Sequence, residues 1–84
     1  MKHAGSDALT QLSELLQQVR RRTGLREKKA GLFYRKSKSF LHFHEDPKGL
    51  FADLAIGGDF VRYPVDTPPQ CLALLSAIDR TLTQ

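Results

Sequence analysis

Two histidines, an aspartate and an arginine stand at spacings that could support chemistry in the middle of the chain. His42 and His44 are two residues apart, so on a β-strand both would lie on the same face. Asp53 and Arg62 belong to the next two segments along the chain. A carboxylate can orient an imidazole as a base, and two histidines with a carboxylate can bind zinc. The elements that carry these side chains decide between such a site and a charge-paired row on a sheet.

Alternating apolar and polar residues, interrupted by turn residues, predict a β-sheet around these side chains. Asp46–Gly49 has the Asp, Pro and Gly placements of a type I turn, and Gly57-Gly58 suits a two-residue primed hairpin turn. Ser37-Lys38 is a weaker two-residue turn. Because all the connections are short, neighbouring segments should pair as an antiparallel meander. The predicted strands are Leu32–Lys36, Phe40–Glu45, Leu50–Ile56 and Phe60–Val65.

Amphipathic helices are predicted before and after this sheet. Ser6 can cap the first helix, whose leucines recur every three or four residues, and Gly24 is placed to end it. The stretch Thr67-Pro68-Pro69-Gln70 has the residues of a capping box and predicts a second helix to about Leu82. Cys71 falls on the apolar stripe of that helix, so we assign it to packing and not to nucleophilic chemistry.

These elements predict an α+β fold in two layers: a helix, a four-stranded antiparallel meander and a helix. Residues 1–5 are expected to form a flexible N-terminus and residues 6–84 a single domain. Apolar residues make up 40% of the chain and charged residues 26%, which is typical of a folded globular protein. The polar N-terminus, the single cysteine and the short apolar runs favour a cytoplasmic protein without a membrane span.

Loop lengths then set the strand register and divide the sheet into two faces. His42 should lie opposite Asp53 and Phe33, and Asp53 opposite Arg62. Both helices should cover the aliphatic face. The other face should hold four of the five phenylalanines among charged residues, which is unusual for a sheet open to water. Its predicted binding residues are Phe33, Arg35, Phe40, His42, His44, Phe51, Asp53, Phe60 and Arg62.

Three functions fit such a face. The leading hypothesis is a non-catalytic protein contact, most simply a homodimer, because a small chain gains apolar core by self-association. The second is single-stranded nucleic-acid binding, with rings as stacking platforms and a basic patch for phosphates. Nine of the thirteen basic residues lie between Arg20 and Lys38, against one acidic residue. The predicted patch comprises Arg20, Arg21, Arg22, Arg26, Lys28, Lys29, Lys36 and Lys38.

The third function is a metal or enzymatic site around His42, His44 and Asp53. We expect no serine or cysteine beside His42 that could act as a nucleophile. The alternation of a β-strand alone is enough to put His42 and His44 on one side, so their spacing is weak evidence for a metal site. The sequence therefore assigns no catalytic residue, no metal ligand and no cofactor.

The block Gly31–Val65 resembles a group of short, uncharacterised bacterial proteins. The likeness lies in the phenylalanines, in His-Phe-His-Glu-Asp-Pro (His42–Pro47) and in Phe-Ala-Asp-Leu (Phe51–Leu54), and it covers under half of the chain. The resemblance implies a bacterial, intracellular source and a shared sheet. It implies no reaction, cofactor or catalytic residue.

Overall fold

The computed structural model describes residues 2–83 and has an α+β architecture with an antiparallel sheet, as predicted. Met1, the first residue of the predicted range 1–5, and Gln84, the last residue of the predicted range 6–84, lie outside the described residues. The helices are α1 (Ser6–Gln11), α2 (Ser13–Arg20) and α3 (Pro68–Leu82). The strands are β1 (Lys2–His3), β2 (Arg26–Lys29), β3 (Leu32–Arg35), β4 (Lys38–Asp46), β5 (Gly49–Ile56) and β6 (Asp59–Pro64).

Between Lys2 and Thr83 the sheet contains six strands where four were predicted. Its order is β2-β3-β4-β5-β6, and the short β1 pairs with the end of β4 beyond β3. The two extra strands are hard to detect, since β1 has two residues and β2 is the wholly charged Arg-Glu-Lys-Lys. Lys2 and His3, expected in a flexible N-terminus, lie opposite Glu45 and His44.

The registers on both sides of β5 are confirmed. Leu41 lies opposite Leu54 and His42 opposite Asp53, as predicted, although Asp46 also pairs with Gly49 and the connecting turn has two residues, Pro47-Lys48, and not the predicted four. Arg62 lies opposite Asp53 across the Gly57-Gly58 turn, whose glycines have φ of +61° and +91°. Positive φ at both central residues is the conformation of a type I′ turn.

The predicted register between β3 and β4 is wrong by one residue. The turn is at Lys36-Ser37, with φ of +50° and +69°, so Leu32 lies opposite His42, and Phe33 lies opposite Leu41. The pairing also shifts between Phe33 and Tyr34, because β4 carries an extra residue there. Such a β-bulge lets consecutive residues share one side of the sheet, and Phe40 and Leu41 are both buried.

The N-terminal helix is broken into two segments at Leu12, which has φ of −91° and ψ of 7°. The Thr10 hydroxyl donates to the Ser6 carbonyl, a local bond that competes with the regular helix. Ser6 is the first helical residue and Gly5 is the N-cap, so the predicted cap is wrong by one position. The capping box of α3 is confirmed, because Thr67 accepts from the Gln70 backbone and Gln70 accepts from the Thr67 backbone.

The three helices cover one side of the sheet and form one core with it. Buried residues of α2 and α3 join Phe33, Leu41, Phe43, Ala52 and Leu54 in a single apolar cluster. Arg35 binds the C-terminal carbonyls of α3, with its guanidinium nitrogens 3.3 Å from the Thr81 oxygen and 3.4 Å from the Leu82 oxygen. Within residues 2–83, each helix is too short or too polar to cross a lipid bilayer.

Candidate binding surface on the open face of the sheet

The side of the sheet away from the helices is called the open face. Residues directly opposite each other in an antiparallel ladder point to the same side, so the registers define its membership. It carries polar and charged groups at the centre and apolar groups toward the rim. Its residues are His3, Leu32, Tyr34, Ser39, His42, His44, Phe51, Asp53, Ala55, Phe60, Arg62 and Pro64.

Six of the nine predicted binding residues lie on the open face: His42, His44, Phe51, Asp53, Phe60 and Arg62. The other three belong to the helix side, because of the shifted turn and the bulge. Phe33 is 1% exposed and Phe40 is 3% exposed, both inside the core. Arg35 lies against the end of α3, with its guanidinium carbon 5.9 Å from the centroid of the Phe40 ring. The open face is therefore less aromatic than the sequence predicts.

Asp53 is the centre of the polar network on this face. Its two carboxylate oxygens accept from Arg62 Nε at 2.8 Å and from Arg62 Nη2 at 3.0 Å. His44 Nε2 lies 3.2 Å from Asp53 Oδ2, close enough for an ion pair when the imidazole is protonated. The hydrogen bonds from Arg62 hold the pKa of the Asp53 carboxyl below its usual range. Asp53 is thus an ionised structural partner whose oxygens are already occupied.

Three histidines cluster around this carboxylate, one more than was predicted. His3 stacks on His44 with ring centroids 5.0 Å apart, and His42 lies 6.0 Å from His44 and 6.1 Å from His3. Burial lowers the pKa of His42, and the neighbouring imidazoles lower it further. Burial also lowers the pKa of His44, outweighing the opposite effect of Asp53. These two imidazoles are therefore biased toward the neutral form.

The cluster does not have the geometry of a metal site. Across residues 2–83, no three His, Cys, Asp or Glu side chains are arranged to hold a metal ion. Both Asp53 oxygens already accept hydrogen bonds from Arg62. This network satisfies its own polar groups.

Ser39 is one of the open-face residues that the sequence interpretation missed, together with His3, Leu32 and Tyr34. The Ser39 hydroxyl is hydrogen-bonded to His42 Nε2, although no serine was expected beside that histidine. The bulge in β4 accounts for this, since it puts Ser39 opposite Tyr34 on the open face. Two consecutive apolar residues, Phe40-Leu41, in an otherwise alternating segment are the signal that could have revealed the bulge. Asp53 is engaged by Arg62 and His44, so Ser39 and His42 form a pair without an orienting carboxylate.

The most exposed apolar groups of the sheet lie on β6, the strand at its edge. Phe60 is 50% exposed on the open face and Val61 is 41% exposed on the helix side. The Phe60 ring is 5.0 Å from the His42 ring, so it continues the surface of the histidine cluster. In the described part of the chain, the other exposed large apolar side chain is Leu72 on α3, at 64%.

The predicted basic patch is divided among several structural contacts. Arg20 pairs with Glu27 on β2, with its Nε 2.6 Å from the carboxylate, and Arg22 pairs with Asp79 on α3 at 2.9 Å. Lys28 lies over the Tyr34 ring at 4.5 Å from its centroid. The remaining members of the patch are exposed: Arg21, Arg26, Lys29, Lys36 and Lys38.

Cys71 has the packing role that its helical position predicts. It is partly buried against the core, and its thiol lies 3.7 Å from the Val65 carbonyl oxygen. Burial raises the pKa of this thiol, which keeps it protonated and weakly nucleophilic.

No protein-family model, curated protein sequence or solved structure matches this chain.

Proposed function

We propose that this protein is a small, non-catalytic interaction module that forms a homodimer through β6, the exposed strand at the edge of the sheet. The observation that carries the proposal is the exposure of Phe60 and Val61, at 50% and 41%, on the two sides of one strand at the edge of the sheet. Large apolar side chains exposed together favour a protein contact, because burying them removes apolar surface from water.

The polar centre of the open face supports a binding role over a catalytic one. Asp53 is held by two bonds from Arg62, and His42 is bonded to Ser39. A general base needs a free lone pair aimed at a substrate proton, and a nucleophilic serine needs its histidine to be oriented by a third group. Because these side chains are bonded to one another, they hold fixed positions beside the exposed side chain of Phe60, which suits a binding surface.

The nucleic-acid alternative loses support from the packing. Two of its four stacking rings, Phe33 and Phe40, are buried in the core. Arg20 and Arg22 are committed to carboxylates, which reduces the positive charge that phosphates would meet. Binding of single strands requires exposed rings and free cations along one groove, and this combination is weaker here than the sequence alone predicts.

Sedimentation velocity at rising protein concentration tests the homodimer. The wild type should approach the mass of two chains, and Phe60→Ser should remain a monomer under the same conditions. Leu72→Ser is the matched control, because Leu72 is a comparably exposed apolar side chain on α3, away from the sheet. A wild type that stays monomeric throughout, or equal weakening by both substitutions, would contradict the proposal. Thermal unfolding of each variant checks that its fold is intact.

A further inference from the structure

The strands at the two ends of the order β2-β3-β4-β5-β6 differ in how their free edges are protected against pairing with another strand. The β2 edge consists of Arg26, Glu27, Lys28 and Lys29 and contains a register irregularity. Charged side chains, lysine above all, and bulges are the devices by which proteins prevent sheet edges from pairing. The β6 edge instead presents Phe60 and Val61, and its pairing capacity ends only at Pro64.

The backbone groups that β6 offers to a partner follow from its pairing with β5. Val65, just beyond β6, donates its N–H to the Leu50 carbonyl at 2.9 Å. Because antiparallel strands alternate between inward and outward groups, Tyr63, Val61 and Asp59 also direct theirs toward β5. Phe60 and Arg62 therefore direct their N–H and C=O groups to the free edge.

We infer that the partner is a second copy of this chain, paired antiparallel through β6 around a two-fold axis at Val61. This inference rests on the proposed homodimer and specifies its contact. In this register Phe60 lies opposite the partner's Arg62, and each such pair exchanges two backbone hydrogen bonds. All the outward donors and acceptors of Phe60 and Arg62 are then satisfied.

Side-chain chemistry favours this register over its neighbours. In this register each Arg62, whose guanidinium is bonded to Asp53, lies opposite the partner's Phe60 and not opposite a second arginine. An axis at Arg62 would place two arginines opposite each other and would set Phe60 against the partner's Pro64, which has no N–H. An axis at Phe60 would bring Arg62 opposite the partner's Gly58, which belongs to the type I′ turn.

The first experiment substitutes the residue at the proposed axis. Val61→Lys places two ammonium groups beside each other in the dimer and should raise its dissociation constant at least tenfold in sedimentation equilibrium. Val61 is 41% exposed, so the substitution should leave the monomer folded, which circular dichroism checks. Leu72→Lys introduces the same charge on α3 and should leave the dissociation constant unchanged.

The second experiment tests by disulfide cross-linking whether the two copies of residue 61 are adjacent in the dimer. In a Cys71→Ser background, Val61→Cys should form a covalent dimer on mild oxidation, because residues opposite each other at a non-hydrogen-bonded position have Cα atoms about 4.5 Å apart. Phe60→Cys and Leu72→Cys should form little, although Phe60 and Leu72 are more exposed in the wild type.

The outcomes separate this inference from the proposed function. A wild-type dimer that cross-links through Phe60→Cys and not through Val61→Cys would show open faces packed against each other. It would overturn the edge pairing and keep the homodimer. A dimer that survives Val61→Lys with unchanged affinity overturns the edge pairing as well. A wild type that remains monomeric overturns both, and cross-linking of Val61→Cys alone supports both.

Discussion

Replacing Phe33 by alanine should destabilise the protein by about 3 to 5 kcal/mol, the range found for buried phenylalanines. The Phe33 side chain is 1% exposed, and its ring meets the Phe43 ring edge to face at 6.4 Å between centroids. The substitution removes the burial and also the aromatic pair, which alone contributes about 0.5 to 1.5 kcal/mol. At roughly 0.1 kcal/mol per residue, a domain of this size has about 8 kcal/mol of total stability, so the loss is a large fraction.

Urea denaturation followed by circular dichroism measures this loss against Phe60→Ala as control. Phe60 is 50% exposed, so its truncation should cost about 1 kcal/mol or less. Low protein concentration keeps association from contributing to the stability. Phe33→Leu keeps most of the side-chain volume and should cost about 1 kcal/mol, which gives a measurable transition even if Phe33→Ala is unfolded.

Equal losses for Phe33→Ala and Phe60→Ala would refute this reasoning. Phe33 would then lie on the open face, the turn would be at Ser37-Lys38, and the register of β3 against β4 would differ from the observed one. The open face would regain a ring, and the case for an edge contact over a face contact would weaken.

Two further predictions concern Gly49, which packs against Asp66, and the histidines. Gly49→Ala should destabilise the protein more than Gly57→Ala in thermal unfolding. Both glycines have positive φ, but a Cβ added at Gly49 would lie 2.5 Å from Asp66 Oδ2, whereas one added at Gly57 would meet no atom within 4 Å. Equal losses of stability would show that Asp66 moves aside freely. Acidification below about pH 6.5, the usual imidazole pKa, should lower the free energy of unfolding, because the folded state lowers the pKa of His42 and His44 and so binds fewer protons than the unfolded chain. This dependence should flatten between pH 7 and 5 in the His42→Gln, His44→Gln double variant, and an unchanged slope would assign it to other groups.

The parts of the fold that the sequence predicts are those where local chemistry and tertiary packing agree. The Gly57-Gly58 turn needs positive φ at two positions and has glycine at both, so its loop length and the flanking register follow from the residues. The capping box at Thr67 is equally local. Because the registers on both sides of β5 follow from the residues of its two flanking turns, the sequence alone places His42, Asp53 and Arg62 in one row.

The position of the turn between β3 and β4 is determined by side-chain packing, which overrides the local conformational preferences of the turn residues. Lys36 and Ser37 both adopt positive φ, at a cost of roughly 1 to 2 kcal/mol each for a residue with a side chain. Burying a phenylalanine side chain contributes about 1.5 to 3 kcal/mol, so placing Phe33 and Phe40 in the core offsets that strain. Turn propensities do not report how backbone strain compares with the burial of side chains elsewhere in the fold. The turn was therefore predicted one residue too late, at Ser37-Lys38.

The bulge in β4 also determines where the exposed apolar surface lies. By turning Phe40 into the core it brings Ser39 to the open face, where the hydroxyl bonds to His42. Together with the shifted turn it replaces two predicted rings at the centre of that face by polar and mixed groups that satisfy one another. The large apolar side chains that remain exposed on the sheet are those of β6, Phe60 on the open face and Val61 on the helix side. A contact driven by burial of apolar area should therefore form along β6, and the hydrogen-bonding groups of that edge supply its direction and register.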